Sequence, residues 1–484
     1  MNRPFSALFA LTMVAGCTAG PDYHVPEHAM INAPAAKAPF ASSASPLLAQ
    51  TDLPAQWWRL YDDPRLDGYV REALAANTDL RAADAHLRQA SEIVREAEAG
   101  RQVQTSLNAA TYGARVGGYT LTMPLSVPYS YVMSAQVSYP LDLAGGVRRG
   151  IEAARDSAEA TQAARDQVRV TVAATVARNY AAICSANVTL AAQQHVLDLE
   201  RKTLGSMQRL FKAGRGTTFD VIRAKAAAAD SAASIPPILV RRQAALFELA
   251  ALMGRAPADY PQDMASCAVA PKLTSPLPVG DGTMLLKRRP DVRASERQLA
   301  AATANIGVET AQLYPQVALS GSLGFANAIS AFTSPDSFGG FAGPMVSWAF
   351  PNRKLLHARI AAAGDAAQAA EADFDGTVIE ALRQTETALF AYVQEARRDA
   401  ALEEATQAAD KATVDADRLF RFGRSDVLSL LTSQERLAQA ETKLATSRAE
   451  LLDRQVNVFL ALGGGWENVD AAAPGVGSAK QAVR

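Results

Sequence analysis

The chain contains one sequence pattern twice, and this duplication limits the folds available to its 484 residues more than any other feature. Arg209–Arg215 has the sequence RLFKAGR, and Arg418–Arg424 has RLFRFGR. Asn77–Ala82 (NTDLRA) likewise returns as Arg289–Ala294 (RPDVRA). Because the order and spacing of these matches agree over roughly 180 residues, the sequence predicts two structurally similar units.

Each copy opens with a predicted amphipathic helix, because apolar residues recur there at helical steps. These residues are Leu66, Val70, Leu74, Leu80, Leu87 and Val94 in the first copy, and Val292, Leu299, Ala302, Ile306 and Leu313 in the second.

The period then changes to two, which is typical of strands. Apolar residues alternate with short polar or small residues over Tyr129–Tyr139 and again over Val317–Phe325. Gln102–Val116 and Phe338–Phe350 are weaker partners, so each copy is predicted to form one hairpin. The strand length, the alternation and the aromatic residues near the strand ends are typical of membrane β-strands, although a soluble sheet would alternate in the same way.

Long helices are predicted after each hairpin. No proline occurs over Leu141–Ile235 or over Asn352–Ala473, and good helix formers are abundant in both stretches. Glycine-containing turns interrupt them at Gly214–Gly216 and Phe422–Arg424, so each stretch is predicted to fold as a helical hairpin. The first arm, Val147–Phe211, would be about 98 Å long. Without the strands, a coiled-coil spacer would explain these helices equally well.

The predicted fold class is mostly α with a small transmembrane β part. The predicted segments are a signal peptide (1–16), a lipidated N-terminal tether (17–54), the first-repeat helix with an equatorial segment (55–101), the first β-hairpin (102–142), the first helical hairpin with its tip near 212–220 (143–256), a linker (257–288), the second-repeat helix (289–314), the second β-hairpin (315–351), the second helical hairpin with its tip near 420–432 (352–462) and a flexible C-terminal tail (463–484).

Four short strands cannot close a membrane barrel by themselves. Open sheet edges are not tolerated in lipid, so the strands must come from several chains. Two chains would give eight strands, a barrel that side chains fill, whereas three would give twelve and leave room for a channel. The inward positions are small and polar, which suits a wet lumen and modestly favours a trimer. They include Ser130, Ser134, Ser138, Ser320 and Ser322.

The N-terminus has the features of an export signal. Arg3 supplies a positive charge, and Phe5–Val14 is an apolar stretch too short to span a bilayer. Val14–Cys17 (VAGC) resembles a bacterial lipobox, in which Cys17 would become the lipidated first residue; a chance cysteine after an ordinary signal peptide is the alternative. Several acyl chains on one residue would anchor the protein stably. Thr18, where an aspartate would resemble an inner-membrane retention signal, favours the outer membrane.

The remaining composition offers little for catalysis. The formal net charge is −1, so no basic excess favours nucleic acid. Two thiols beyond Cys17 cannot make a disulfide framework, and Cys184 is interpreted as a small buried apolar residue. His24 and His28 are better interpreted as part of a flexible polar loop than as metal ligands. We therefore predict no enzyme, no metal and no cofactor except a covalent lipid on Cys17.

Several motifs resemble those of the TolC family of outer-membrane efflux lipoproteins, in particular its NodT-like subfamily. Gly20–Pro26 (GPDYHVP) follows the lipobox, Trp57–Leu66 (WWRLYDDPRL) is similar to the first-repeat signature, and Arg288–Arg293 with Ala304–Gly307 resembles the second. The resemblance covers nearly the whole mature chain. It implies a homotrimer whose twelve-stranded outer-membrane β-barrel continues into a long periplasmic α-helical barrel. It also implies a periplasmic adaptor and an inner-membrane pump, commonly of the proton-driven resistance-nodulation-division type, as partners.

The resemblance also places a gate at the two helical turns. In the family these turns form the tapered periplasmic tip, and they correspond here to Gly214–Arg223 and Phe420–Thr432. The candidate gate residues are Arg215, Asp220, Arg223, Phe420, Arg424, Asp426, Leu428, Ser429 and Thr432. Our hypothesis is a gate closed by packing of Leu428 and by contacts of the Asp220–Arg424 kind, with ordinary exposed turn charges as the alternative.

Three candidate residues depart from the family pattern. Phe420 stands where many members have a tyrosine, and Ser429 and Thr432 stand where they have aspartates. A ring of carboxylates at those two levels is therefore not expected.

The remaining conspicuous residues receive structural interpretations. Trp57 and Trp58 are predicted to pack the N-terminal segment on the helices. Lys287–Arg289 is predicted to be a solvated turn before Asp291, which would cap the next helix. His195 and His357 are predicted to lie on helix surfaces or interfaces, without ligand partners at metal spacing.

We therefore predict an outer-membrane channel subunit of a tripartite efflux system that exports drugs or other small amphipathic compounds. A metal-ion or solvent duct of the same family is the alternative. From another class, a structural lipoprotein that spans the envelope remains an alternative, although it would have no use for membrane strands.

Overall fold

The computed structural model of the chain describes residues 18–112, 129–267, 269–332, 334–350 and 353–466. Cys17, the predicted signal peptide and residues 467–484 of the predicted tail lie outside the described residues.

The main helices and strands follow the same order in both copies. In the first copy they are α1 (Pro64–Ala76), α2 (Thr78–Ala99), β1 (Gln104–Tyr112), β2 (Ser130–Leu141), α3 (Gly146–Lys212), α4 (Thr218–Ala233) and α5 (Ile235–Leu252). In the second copy they are α6 (Gly282–Arg288), α7 (Pro290–Ala311), β3 (Gln316–Ala328), β4 (Phe338–Ser347), α8 (Arg353–Arg421) and α9 (Val427–Ala461). No helix among the described residues is both long and apolar enough to cross a membrane.

The return arms of the two helical hairpins differ. In the second copy α9 is one helix of 35 residues. In the first copy the arm is interrupted at Ser234, and α5 begins with prolines in its first turn. Proline has no amide hydrogen to donate to the preceding turn, so the break follows from the sequence.

The chain divides into two compact units. The sheet unit holds the N-terminal residues to Ala29, His86–Gln162 and Ala294–Asp375. The helical unit holds Met30–Ala85, Ala163–Arg293 and the C-terminal residues from Gly376. Strands β1 to β4 all lie in the sheet unit, and both helical turns lie in the helical unit.

The four strands form one antiparallel sheet in the order β1-β2-β3-β4. Each copy contributes one hairpin, and β2 pairs with β3 to join the two copies, for example through Ser134 opposite Gly324. Within the described residues of one chain, β1 and β4 each have a free edge.

The hydrophobic core of the helical unit is built around the N-terminal tryptophans. Trp57 is fully buried and stacks on Phe459 with ring centroids 4.3 Å apart. Trp58 is also buried, and its indole nitrogen donates to Asp67. The predicted packing of Trp57 and Trp58 on the helices is thus confirmed.

Each copy is closed by the same kind of contact, between the junction of its first two helices and the end of its return arm. Asn77 donates from its side-chain amide to the carbonyl of Leu252, the last residue of α5 (3.0 Å). At the equivalent position Arg289 donates to the carbonyl of Ala461, the last residue of α9 (2.7 Å). The last carbonyls of a helix have no partner within it, so these side chains act as C-terminal caps.

This contact shows that the prediction of a solvated turn at Lys287–Arg289 was wrong for both arginines. Arg288 and Arg289 are buried, and only Lys287 is exposed. Arg289 also forms an ion pair with Asp291 (2.5 Å). Asp291 lies in the first turn of α7. The sequence pattern shows charge but not the acceptors that offset the cost of burying the charge.

The predicted N-terminal tether is packed on the rest of the chain over its described part, and it contains short helical turns at Met30–Asn32, Pro34–Lys37 and Ala41–Ala44. Phe40, Leu48 and Leu53 are buried in the core of the helical unit. Leu48–Ala49 also pairs in parallel with Leu277–Pro278. The burial of apolar side chains spaced along the segment fixes it on the helices.

The predicted flexible tail is likewise packed at its start. Gly463, Gly464 and Gly465 are buried, and Trp466 donates from its indole nitrogen to the carbonyl of Arg288 (3.0 Å). Arg293 stacks over the Trp466 ring, 4.6 Å from its centroid.

A disulfide joins Cys184 to Cys267 inside the core of the helical unit. Cys184 is a small buried residue as predicted, but it is also half of a disulfide, which was not predicted. The two cysteines are 83 residues apart in the sequence, so only the fold reveals that they meet.

Candidate functional site

The two helical turns that carry the predicted gate residues have one shared backbone geometry. After α3 the amide of Arg215 donates to the Leu210 carbonyl, and after α8 the amide of Arg424 donates to the Leu419 carbonyl, each at 2.9 Å. The preceding Gly214 and Gly423 have φ of +70° and +67°. This is the Schellman motif, which requires a left-handed residue and so explains both glycines.

The next helices then begin with side-chain caps. In the first turn the Thr217 hydroxyl accepts from the amide of Asp220, and the Asp220 carboxylate accepts from the amide of Thr217 (3.1 Å). In the second turn the roles are exchanged, because the Asp426 carboxylate accepts from the amide of Ser429 (2.8 Å). The acidic and the hydroxyl residue therefore exchange positions between the copies. Capping within one chain is enough to explain why Asp220, Asp426 and Ser429 stand at these positions.

Capping also sets the protonation of the two aspartates. Hydrogen bonds from Thr217 lower the pKa of Asp220, and hydrogen bonds from Ser429 lower the pKa of Asp426. The positive charge of Arg223 lowers both pKa values further. Both carboxylates are therefore charged at neutral pH.

The structure does not bring the predicted gate charges into direct contact within one chain. The ion pairs of the second tip, within the described residues, are Arg418–Asp415 (3.7 Å) and Arg421–Asp417 (2.6 Å), on the preceding helix. Arg215, Arg223 and Arg424 are exposed. A contact of the Asp220–Arg424 kind therefore has no counterpart inside the described chain.

In the internal repeat the position equivalent to Leu428 is Phe219, which was not among the predicted gate residues. Leu428 is two positions after the N-cap Asp426, and Phe219 is two positions after the N-cap Thr217. Both side chains are exposed, to 47% and 68%. Each tip therefore presents one large apolar side chain at the same point of its helix, a match visible when the two repeats are aligned.

Phe420 and Thr432 lie away from the exposed tip surface. Both are half-buried, and Phe420 lines a groove of about 610 Å³ between α3, α8 and α9. His195 lines the same groove, whereas His357 is exposed on α8. No group of three His, Cys, Asp or Glu side chains in the described part of the chain is arranged to hold a metal.

The sheet has one apolar and one polar face. Directly paired residues project from the same side of a sheet. One such row runs from Leu107 through Ala135 to Leu323. On the opposite face, one row runs from Asn108 through Ser134 to Gly324. Exposed aromatic residues flank the sheet at both ends: Tyr129, Phe332 and Phe338 at the end with the connecting loops, and Tyr314, Trp348 and Phe350 at the end that leads into the helices.

This arrangement is what a membrane-spanning sheet requires. Strands of 9 to 13 residues have the length of tilted membrane strands. The apolar face suits lipid, the aromatic residues suit the two interfaces, and the polar face suits a water-filled lumen.

The residues after Cys17 are docked in the sheet unit, which the sequence analysis did not foresee. The amide of Ala19 donates to the Ala144 carbonyl (2.9 Å), and Arg149 donates to the Ala19 carbonyl (3.1 Å) and to Asp22 (2.6 Å). A methyl group on Gly20 would lie only 2.4 Å from the backbone of Gly307, so the fit requires glycine. We call residues 18–22 the strap. Arg149, whose side chain is 4% exposed, is its main anchor.

Comparison with known proteins agrees with this geometry. The family model described as outer membrane efflux protein matches residues 69–255 and 283–464. Nodulation protein T of Rhizobium leguminosarum bv. trifolii is 26% identical over 97% of this chain and 98% of its own length. The toluene efflux pump outer membrane protein TtgC of Pseudomonas putida is 27% identical over 94% of both chains. The solved outer-membrane channel OprN is 32% identical, with a TM-score of 0.84 over 93% of this chain and 100% of its own.

The likeness to solved channels confirms the predicted fold class. The chain is mostly α-helical and internally duplicated, with four strands of a twelve-stranded β-barrel and long helical hairpins of an α-barrel, which three chains share. The free edges of β1 and β4 are where neighbouring copies complete the barrel.

Proposed function

This chain belongs to the outer membrane efflux protein family, and on that premise we propose that its trimer is the exit duct of a tripartite pump for drugs or other small amphipathic compounds. Family and fold are those of outer-membrane channels, not of enzymes. The observation that carries the proposal is the sheet with two free edges, an apolar face and a polar face. Such a sheet is stable in lipid only when copies close it around a lumen.

The substrate class is drawn from the relatives and from the lumen. TtgC is described as part of a toluene efflux pump, and OpmQ, another relative, as a pyoverdine export protein. On the polar face, the three rows of paired residues that begin at Gln104, Ser106 and Asn108 contain no charged residue. A neutral polar wall suits compounds of either charge sign, which favours drugs and amphipathic compounds over a duct dedicated to metal ions.

Deletion of the gene tests this function. The deletion strain, complemented with wild type or with an empty vector, would be exposed to antibiotics, dyes, detergents, solvents, copper and silver. We expect sensitivity to organic compounds that the wild-type gene reverses. Sensitivity to metals alone would favour the metal-ion duct, and unchanged susceptibility with altered envelope integrity would favour the structural lipoprotein.

We also propose a periplasmic adaptor and an inner-membrane pump as partners. TtgC, a relative, is described as the outer membrane protein of an efflux pump, so the energy for export would come from a pump component other than this chain. Cross-linking in cells from cysteines placed at the tip, for example Arg215→Cys, should capture an adaptor protein. Arg148→Cys, in the sheet unit, is the matched control and should not.

A lipid on Cys17 is the proposed anchor. Its support is the strap, which holds Thr18 beside Gly145, just after the end of β2. Thr18 therefore lies close to the helix-side end of β2, and a lipid on the preceding cysteine would be close to the bilayer border. Mass spectrometry of the tryptic peptide Cys17–Lys37 should show the added acyl mass. Cys17→Ser should abolish it.

The proposed gate is formed by the tips of the three copies. Leu428 and Arg424 are exposed in one chain and Asp220 is partly exposed, so all three can meet their counterparts across copies. Replacing Leu428 and Asp220 with alanine should raise the ion conductance of the trimer in planar bilayers. Thr218→Ala, an exposed neighbour, should leave it unchanged. Equal conductance of all three proteins would contradict the gate.

A further inference from the structure

Two large apolar side chains of β4, Phe341 and Met345, lie on the polar face of the sheet, and Phe341 is the aromatic one. The row that begins at Ser106 continues through Gln136 and Ser322 to Phe341 on β4. Because directly paired residues share a face, Phe341 projects on the polar side with the serines and glutamine. Its ring is 55% exposed in the chain.

The surroundings of Phe341 leave its ring uncovered. Gly339 and Gly343 are its neighbours on the same face of β4, since side chains alternate along a strand. A methyl group added to either glycine would meet nothing within 4 Å. Phe338, on the opposite face, instead contacts the ring of Phe325 with centroids 5.4 Å apart.

Within one chain the ring has no apolar side chain directly beside it on this face. Its paired residue on β3 is Ser322, and the positions two residues to either side of Ser322 are Ser320 and Gly324. In the trimer the free edge of β4 meets β1 of the next copy, whose polar-face residues include Gln104, Ser106 and Asn108.

We propose that Phe341 is a specificity-determining residue of the duct: three copies place three aromatic rings on the luminal wall, where they contact aromatic solutes on their way out. The inference rests on the proposed function, because it needs the trimeric lumen. Aromatic rings attract flat apolar solutes and organic cations through their faces, and a wall of serine and glycine offers no such surface. The ring would thus favour aromatic over aliphatic compounds of the same charge.

The test uses the full-length trimer in planar bilayers, with organic cations added on the side of the connecting loops. Tetraphenylphosphonium is the aromatic probe and tetraethylammonium the aliphatic one. In the wild type we expect tetraphenylphosphonium to block the current at lower concentration. Phe341→Ser should raise its half-blocking concentration about three- to tenfold and leave tetraethylammonium block unchanged. Phe338→Ser, on the lipid face of the same strand, should retain the wild-type block.

A second variant separates aromatic contact from packing. Phe341→Leu keeps an apolar side chain of similar bulk and should assemble, yet it should also lose the preference for tetraphenylphosphonium. Aromatic rings can also serve only to cover strand glycines. Lower thermal stability of Phe341→Ser trimers with wild-type block would therefore overturn the proposal. If neither the wild type nor the variant with Leu428→Ala and Asp220→Ala carries any current, the duct is overturned together with this inference.

Discussion

At the scale of single residues, Arg289 shows how a side chain holds one copy of the repeat closed. Its guanidinium binds Asp291, Gln384 and the last carbonyl of α9 while it is buried. Arg289→Met would remove the charged donor from all three acceptors. The Ala461 carbonyl would keep only the Thr385 hydroxyl and Asp291 only the Val292 amide, at a cost of about 3 kcal/mol per chain. We expect a clearly lower midpoint in thermal unfolding of the trimer. Lys287→Met makes the same change at an exposed position and should unfold like wild type; equal midpoints for both variants would refute the capping role.

The disulfide Cys184–Cys267 gives a second prediction at this scale. It closes a loop of 83 residues, and the chain-entropy model assigns such a link about 4–5 kcal/mol. Cys184→Ala with Cys267→Ala should therefore lower the unfolding midpoint, and a reductant should lower the wild-type midpoint but not that of the double variant. Thiol titration of the denatured, unreduced wild type should detect neither cysteine. Two or more free thiols per chain there would show that the bond does not form, because Cys17 alone can supply only one.

At the scale of elements, the two tips make the contribution of local capping measurable. Thr217→Ala removes a cap from α4 and should cost about 1 kcal/mol locally. Hydrogen exchange of the amides at the start of α4 should then accelerate about fivefold, whereas Thr218→Ala should have no effect. Unchanged exchange in Thr217→Ala would mean that other contacts hold this turn.

The same cap has a defined pH dependence. Because the folded pKa of Asp220 is lowered, its carboxylate contributes stability above its ordinary pKa of about 3.9. That contribution is lost as the pH falls through the lowered folded value. The amides at the start of α4 should therefore stay protected from pH 7 to about pH 5 and lose protection only below about pH 4. Loss near pH 6 would point to another titrating group.

The elements themselves could be predicted from sequence more fully than the contacts between them. Strand alternation and the glycines at positions 214 and 423 are local signals, so the hairpins and tips were foreseeable. Arg149 and the cysteines were not, because nothing in the sequence distinguishes buried Arg149 from its exposed neighbour Arg148. Phe341 was missed for a related reason: β4 is rich in glycine, and its weak alternation does not show which face each residue takes.

At the scale of the whole molecule, the free sheet edges raise the question of how a single chain reaches the trimer. A monomer whose edges are unpaired is poorly suited to lipid. An anchor at residue 17 would hold each monomer at the membrane surface, where the confinement raises the effective concentration of copies. The strap would keep this anchor beside the end of β2, so that the strands start from the bilayer border.

Assembly should therefore depend on both the lipid and the strap. Cys17→Ser should lower the trimer fraction most at low expression, where monomers are dilute, and less at high expression. Arg149→Met keeps the lipid but removes the contacts with Ala19 and Asp22, so its trimer fraction should be intermediate. Arg148→Met is the matched control and should assemble like wild type. Trimer and monomer would be separated in detergent by native electrophoresis of membrane extracts. A trimer fraction that is independent of expression level in Cys17→Ser would show that the strands find their partners without the anchor.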